Sequence, residues 1–212
     1  MATVILVRHG ENDWVKKHRL AGWIEGVHLN NNGRSQAKDA AKRLAKLPIK
    51  SIYSSPVTRC LETAKYIAKP HKLKVIEREE VGEVRYGEWE GKKIKKLAAK
   101  PEWHTVQYYP SRFQFPNGEA LREVQFRAIQ IIEKLSVQHQ EDFIIVVSHA
   151  DLIKLVLAHY LGVHIDLFQR IVISPASISV LALMTNGVVR VVRVNDTGLL
   201  QAPPKPSSEK KK

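Results

Sequence analysis

Apolar positions along this chain alternate between short unbroken runs and longer stretches in which they recur every three or four residues. Val4-Ile5-Leu6-Val7 is one unbroken run and Phe143-Ile144-Ile145-Val146-Val147 another. Runs of this length without polar alternation predict strands buried on both faces. Ala37, Ala40, Ala41, Leu44 and Ala45 fall at helical spacing, with Lys38, Lys42, Arg43 and Lys46 opposite. They predict a helix that opens on the capping segment Asn30-Asn31-Asn32-Gly33, runs to about Leu47 and is stopped by Pro48.

The same reading continues down the chain. Ser51-Ile52-Tyr53-Ser54 predicts a strand, followed by Ser55 as N-cap, Pro56 as first helical residue and a helix over Val57 to Ala68. Lys74-Val75-Ile76 predicts a short strand, and Lys92 to Ala99 a short helix. The longest helix is predicted from Asn117-Gly118-Glu119 to about His139, with Leu121, Val124, Ala128, Ile131, Ile132 and Leu135 as its apolar stripe. Leu152 to Leu161 is apolar on most sides, which predicts a deeply packed helix. Ile178 to Met184 and Val188 to Val194 predict a terminal hairpin turning at Thr185-Asn186-Gly187. Strands separated by helices make βαβ units. The expected fold is therefore α/β, a three-layer sandwich with a mainly parallel central sheet flanked by helices.

Three stretches resist this pattern. Asn12 to Asn32 holds Trp14, Gly22, Trp23 and Gly26 among polar residues, and connections of this length often belong to a site. Glu79 to Gly91 is dense in glycines, aromatics and carboxylates. Pro101 to Pro116 is aromatic-rich and reads either as a lid or as a packed excursion. Gly87 to Lys92 fails the P-loop pattern in its glycine spacing, and Lys93 stands where Ser or Thr is needed.

Composition narrows the function. A chain of 212 residues at 44% hydrophobic suits one domain, read as residues 1–202, with Pro203 to Lys212 as a disordered Pro-, Ser- and Lys-rich tail. No apolar run approaches a membrane span, the start lacks the plan of a signal peptide, and Cys60 is the only cysteine. These features predict a cytoplasmic protein with no membrane partner. The net charge of +13 suits nucleic acid, an anionic membrane surface or a phosphorylated small molecule. No zinc-finger spacing or aromatic RNA-binding signature accompanies it, so nucleic acid is not expected as the main partner. Oligomeric state is open, a homodimer being compatible with the sequence.

Candidate chemistry sits where strands end. The first apolar run meets Arg8, His9 and Gly10 without a spacer. A cation at the edge of a core must be paired or solvated. In an open α/β sheet, the carboxyl ends of strands face the ligand crevice. Gly10 would allow a close backbone approach or a positive φ. Arg59 lies in the first turn of a predicted helix, an unfavourable place for a cation unless it shares an anion with that helix N-terminus. His149 follows the Phe143–Val147 run. Three such placements at one sheet edge point to an anion site. Cys60 does not fit the Cys-x5-Arg loop of tyrosine phosphatases, since Tyr66 stands six places on, and it reads as a packing residue.

Leu6-Val7-Arg8-His9-Gly10-Glu11 resembles the signature of the histidine phosphatase superfamily in its phosphoglycerate mutase-like branch. Tyr53-Ser54-Ser55-Pro56-x-x-Arg59-Cys60-x-x-Thr63-Ala64, Glu83-x-x-Tyr86-Gly87-x-Trp89-Glu90-Gly91 and Val147-Ser148-His149-Ala150 resemble its later motifs, in family order. Asp166-Leu167-Phe168-Gln169-Arg170-Ile171 and Val194-Asn195-Asp196-Thr197-Gly198 resemble a little-characterised bacterial phosphomutase-labelled group. The resemblance implies a phosphoglycerate mutase-like fold and His9 as a nucleophile that forms phosphohistidine. It also implies that Arg8, Arg59 and His149 hold the phosphoryl oxygens, and that Glu83 is the acid and then the base. Asn12, Gly22 and Tyr86 are the further expected phosphate or substrate contacts. No cofactor and no metal are expected.

One departure stands out. The family usually reads Arg-His-Gly-Glu-Thr-x-x-Asn, whereas here the amide is at Asn12 and Val15 occupies the later position. Either Asn12 takes over a phosphate contact or one ligand is lost. The implied activity is metal-independent hydrolysis of a small phosphorylated metabolite. A phosphomutase is the alternative, but Lys92 to Phe115 looks too short for the insertion of the cofactor-dependent mutases. A non-catalytic phosphate-binding module is the alternative from another class.

Overall fold

The protein, described for residues 1–198 by a computed structural model, is built on six strands. They are β1 (Ala2–Arg8), β2 (Ile49–Ser54), β3 (Val75–Glu77), β4 (Phe143–Ser148), β5 (Ile178–Leu183) and β6 (Val189–Asp196). The order across the sheet is β3-β2-β4-β1-β5-β6. The first four run parallel, and β5 and β6 add on antiparallel as the expected hairpin. The helices are α1 (Asp13–Lys16), α2 (Asn31–Leu44), α3 (Thr58–His71), α4 (Ile94–Leu97), α5 (Glu102–Tyr108), α6 (Leu121–Gln138) and α7 (Ala150–Tyr160).

Side chains of a strand alternate between the two faces of its sheet. Along β1, Ile5 and Val7 therefore join one core, and Val4 and Leu6 the other. The first core adds Ile145 and Val147 from β4, Ala41 and Leu44 from α2, and Cys60, Ala64 and Ile67 from α3. The second adds Ile144 and Val146, with Ala128, Ile132 and Leu135 from α6 and Leu152 and Val156 from α7. This is the three-layer sandwich that the unbroken runs predict. Cys60 is a packing residue, and burial pushes its thiol up to about 12, so it stays protonated.

The segment from Pro101 to Pro116 is a packed excursion. Phe113 and Phe115 surround Trp89, Trp103 stacks on it at 6.1 Å between ring centroids, and the cluster rests on Leu155 and Ala158 of α7. Tyr108 and Tyr109 remain exposed.

Several boundaries differ from expectation, each for a local reason. α3 begins at Thr58, because the Ser55 N–H donates to Val147 O at 3.0 Å and continues the sheet one step past β2. Pro70 is tolerated near the end of α3, which stops at Lys72 in the left-handed conformation. α6 starts four residues after Asn117, because the Glu119 N–H donates to Arg85 O and the Gly118 N–H to Phe115 O, holding that stretch in a turn. The Asn12–Asn32 connection contains α1, capped by Asn12. No helix among the described residues is long and apolar enough to cross a membrane. The expected tail from Pro203 lies outside the described residues.

Candidate active site

Parallel pairing sets the site. Arg8 at the end of β1 is in register with Ser148 at the end of β4, so His9 and His149 emerge side by side. The His9 N–H donates to Ser148 O at 2.9 Å, and the two imidazoles lie 5.3 Å apart edge to face. α3 and α7 begin at this edge, with Arg59 in the first turn of α3 and His149 as the N-cap of α7. Helix N-termini favour anions, so both helices reinforce the arginines.

Gly10 is required by close approach. A Cβ there would meet Gly33 O at 2.5 Å, so the Arg8–Gly10 turn lies directly against α2. The Gly10 N–H donates to Thr63 Oγ1 at 3.1 Å, and that hydroxyl donates to Arg59 O at 2.8 Å. Thr63 therefore ties the His9 turn to the helix that carries Arg59.

Hydrogen-bond partners assign the tautomers. His9 Nδ1 is 2.7 Å from Gly10 O, which can only accept, so Nδ1 carries the proton. Nε2 is left with its lone pair, which accepts from Arg59 Nε at 3.3 Å. His149 Nδ1 accepts from Arg59 Nη2 at 3.1 Å, so its Nε2 carries the proton and donates to Ser55 Oγ at 2.9 Å. Both imidazoles are held neutral well below the usual histidine range, chiefly by burial and then by the Arg59 guanidinium.

Arg59 is only 2% exposed. Its Nη2 also donates to Gly22 O at 2.8 Å, while Nη1 has no partner among the described residues. Arg8 donates from Nη1 to Ile173 O at 2.7 Å, and its Nε is likewise unpartnered. Two guanidiniums beside two neutral imidazoles leave a buried excess of positive charge and unused donors. An oxyanion satisfies both.

Among the described residues, Glu83 is the carboxylate paired with His149, with Oε2 3.6 Å from Nδ1, too far for a hydrogen bond. Its carboxyl pKa is pushed up to about 7, first by burial and then by the Asp151 carboxylate. At neutral pH it holds a proton a substantial part of the time, the property required of a general acid.

The other expected residues take these places. Gly22 is at φ +52° and offers its carbonyl to Arg59. Asn12 is fully buried. Its Oδ1 caps α1 by accepting from the Trp14 and Val15 N–H groups at 3.0 and 2.9 Å, and its Nδ2 is unpartnered among the described residues. Tyr86 is buried, with its hydroxyl donating to Asp151 Oδ2 at 2.8 Å.

Asp151, Ser55 and Thr63 are residues to which sequence reasoning gave no role in the site. Ser55 reads as an N-cap but orients His149 instead. Thr63 stands inside a quoted motif without an obvious task. Asp151 follows His149 by two places and is fixed by Tyr86 and by Lys154 Nζ at 3.1 Å. Among the described residues, no group of three or more His, Cys, Asp or Glu is placed to hold a metal ion.

The histidine phosphatase superfamily (branch 1) family model matches residues 4–197. Phosphoserine phosphatase 1 of Hydrogenobacter thermophilus is 32% identical over 183 residues, 85% of this chain and 86% of that protein. The 2,3-bisphosphoglycerate-dependent phosphoglycerate mutase 2 of Gloeobacter violaceus is 28% identical over 164 residues, 74% of each chain. Among solved structures, Bacillus stearothermophilus YhfR superposes with a TM-score of 0.87 at 25% identity, covering 92% of this chain and 98% of that one. With the whole strand-end site and nearly the full length of the fold matched in this way, the chain belongs to the histidine phosphatase superfamily, branch 1.

Proposed function

We propose that this protein is a phosphatase that hydrolyses a small phosphorylated acid through a phosphohistidine at His9. The observation that carries the reading is the tautomer of His9. Nδ1–H donates to Gly10 O, so Nε2 keeps its lone pair at the centre of the cationic cluster, where it accepts from Arg59 Nε until a phosphoryl group replaces that contact. In the first step His9 Nε2 attacks phosphorus as the bond to the leaving oxygen breaks, and Glu83 gives its proton to that oxygen. In the second step Glu83, now a carboxylate, takes a proton from water while the water oxygen attacks phosphorus and the Nε2–phosphorus bond breaks. Arg8 and Arg59 offset the charge on the non-bridging oxygens, the main demand of phosphoryl transfer, and His149 joins them as a donor only with a proton on Nδ1, since its Nε2 proton is held by Ser55. Asn12 Nδ2 is a further donor, placed three residues earlier than the family's usual amide.

The relatives' names include phosphoserine and phosphoglycerates, which makes small phosphorylated acids the substrate class to test first. Hydrolysis is favoured over mutase chemistry because the stretch from Lys92 to Phe115 is short and committed to its own aromatic core. A panel of phosphorylated hydroxy acids, amino acids and sugars, assayed for both free phosphate and isomerised product, tests the reading. Free phosphate without isomer is expected. Isomer formed faster than phosphate would make the protein a mutase, and no turnover of any phosphomonoester would make it a binding module.

A further inference from the structure

Arg127 is the most fully engaged guanidinium in the described chain. It projects from α6, makes no hydrogen bond to His9, Arg59 or His149, and spends three of its five donors on the segment that carries Glu83 and the other two on Glu119. Nη1 donates to Glu80 O at 2.8 Å and to Gly82 O at 3.0 Å, and Nη2 donates to Glu83 O at 2.9 Å. The remaining donors, on Nε and Nη2, engage both oxygens of Glu119 at 2.8 and 2.9 Å. Glu119 in turn accepts from the Arg85 N–H at 2.9 Å, and its own N–H donates to Arg85 O. The Glu83 carbonyl takes a second bond, from Trp23 Nε1 at 2.7 Å.

Residues 80–85 are not in a regular strand or long helix, so few ladder bonds fix Glu83. Loop backbones need partners for their carbonyls, and a loop that carries an acid must hold it to a fraction of an ångström. Glu83 Oε1 accepts from the Val84 N–H at 3.0 Å, so the direction of the carboxyl follows the backbone at 83 and 84. Three carbonyls gathered on one guanidinium set that backbone. Lysine cannot reproduce the arrangement, because an ammonium lacks the planar fork that spans three carbonyls and a carboxylate together.

We infer that Arg127 is a positioning residue for the phosphatase reaction, fixing the Glu83 loop through the carbonyls of Glu80, Gly82 and Glu83 so that the carboxyl meets the leaving oxygen. The inference rests on the proposed acid role of Glu83. It separates Arg127 from the residues that hold phosphate. Loss of Arg127 should slow the acid-dependent step and leave phosphate binding nearly intact.

The test is single-turnover phosphoenzyme formation from an alkyl phosphate and from p-nitrophenyl phosphate, whose leaving group needs no proton. It is run on the full chain with Arg127→Lys, Glu83→Gln and the double variant, each first checked by thermal melting. Glu119→Gln replaces Arg127→Lys if the latter does not fold, since it loosens the same guanidinium. The expected result is a fall of about 10- to 100-fold in Arg127→Lys with the alkyl phosphate. With p-nitrophenyl phosphate it is only a few-fold, and KM is nearly unchanged. In the Glu83→Gln background the same change should add little, because the group it positions is already disabled. Equal slowing of both substrates, or full additivity with Glu83→Gln, would overturn the positioning role while leaving Glu83 as the acid. No leaving-group dependence in Glu83→Gln itself would overturn the acid role and this inference with it.

Discussion

Arg59 Nε lies 3.3 Å from His9 Nε2, the imidazole nitrogen that carries no proton. A guanidinium can only donate, so it disfavours protonation of that nitrogen while leaving its lone pair ready for transfer to phosphorus. The nucleophile and its principal cation are thus organised by one contact, and the substrate's phosphoryl group would enter between them.

Burial, and then this contact, sets the His9 side of the pH dependence. His9 is held neutral well below the usual histidine range, so acidification through pH 6.5 should not disable it. Glu83 has the opposite requirement. It donates only when protonated, and its carboxyl titrates near pH 7. Phosphoenzyme formation from an alkyl phosphate is expected to decline as pH rises through about 7. With p-nitrophenyl phosphate that alkaline decline should be absent, and stopped-flow rates across pH 5–9 distinguish the two patterns.

The same carboxyl should cost stability. Its folded pKa is raised above the unfolded value, so its favourable contribution is complete below about pH 4.5 and is lost as pH rises through about 7. Glu83→Gln removes the buried charge and keeps the shape. Thermal melts at pH 8 are expected to place Glu83→Gln above the wild type, with the gap closing near pH 4. A variant less stable than wild type at pH 8 would mean that the Glu83 charge is better compensated than its burial implies.

Thr63→Val tests the tie between the His9 turn and α3. Valine keeps the volume but leaves the buried Gly10 N–H without an acceptor, a loss of about 1–3 kcal/mol. Activity is expected to fall further than stability explains, because His9 and Arg59 are no longer held to one another. A variant destabilised in denaturant titration yet unchanged in turnover number would show that Thr63 serves folding alone.

Asn12→Asp separates two tasks of one side chain. Oδ1 caps α1, a role that aspartate fills equally well. Nδ2 is the free donor, and replacing it with an anionic oxygen should repel phosphate. The melting temperature is expected to fall, because the new oxygen is buried without a donor, and KM for the phosphomonoester is expected to rise by about tenfold or more, in line with one lost charge-assisted contact. An unchanged KM would assign Asn12 to the cap only.

Much of this was legible in the sequence because buried parallel strands write themselves as unbroken apolar runs. Arg8, His9 and His149 follow directly from where those runs stop, and Arg59 from its odd place in a first turn. Ser55 was misread because its local pattern, Ser before Pro, is that of a cap, while its N–H is claimed by Val147 on a strand far away in sequence. Tyr86 and Asp151 are separated by 65 positions, and nothing local to either announces their bond. Arg127 sits on the polar side of an amphipathic helix, where a charge usually means only solvent. The aromatic stretch after Pro101 could be a lid or a core by composition alone, and only the ring contacts around Trp89 decide for the core.

The central claim is covalent transfer to His9. Rapid acid-free quenching of the protein during turnover of a radiolabelled phosphomonoester, followed by peptide mapping, tests it most directly. The account predicts an alkali-stable, acid-labile phosphoryl group on the peptide that contains His9, formed at least as fast as turnover and absent in His9→Ala. Label on the His149 peptide instead, or wild-type turnover with no labelled protein at any time, would contradict it.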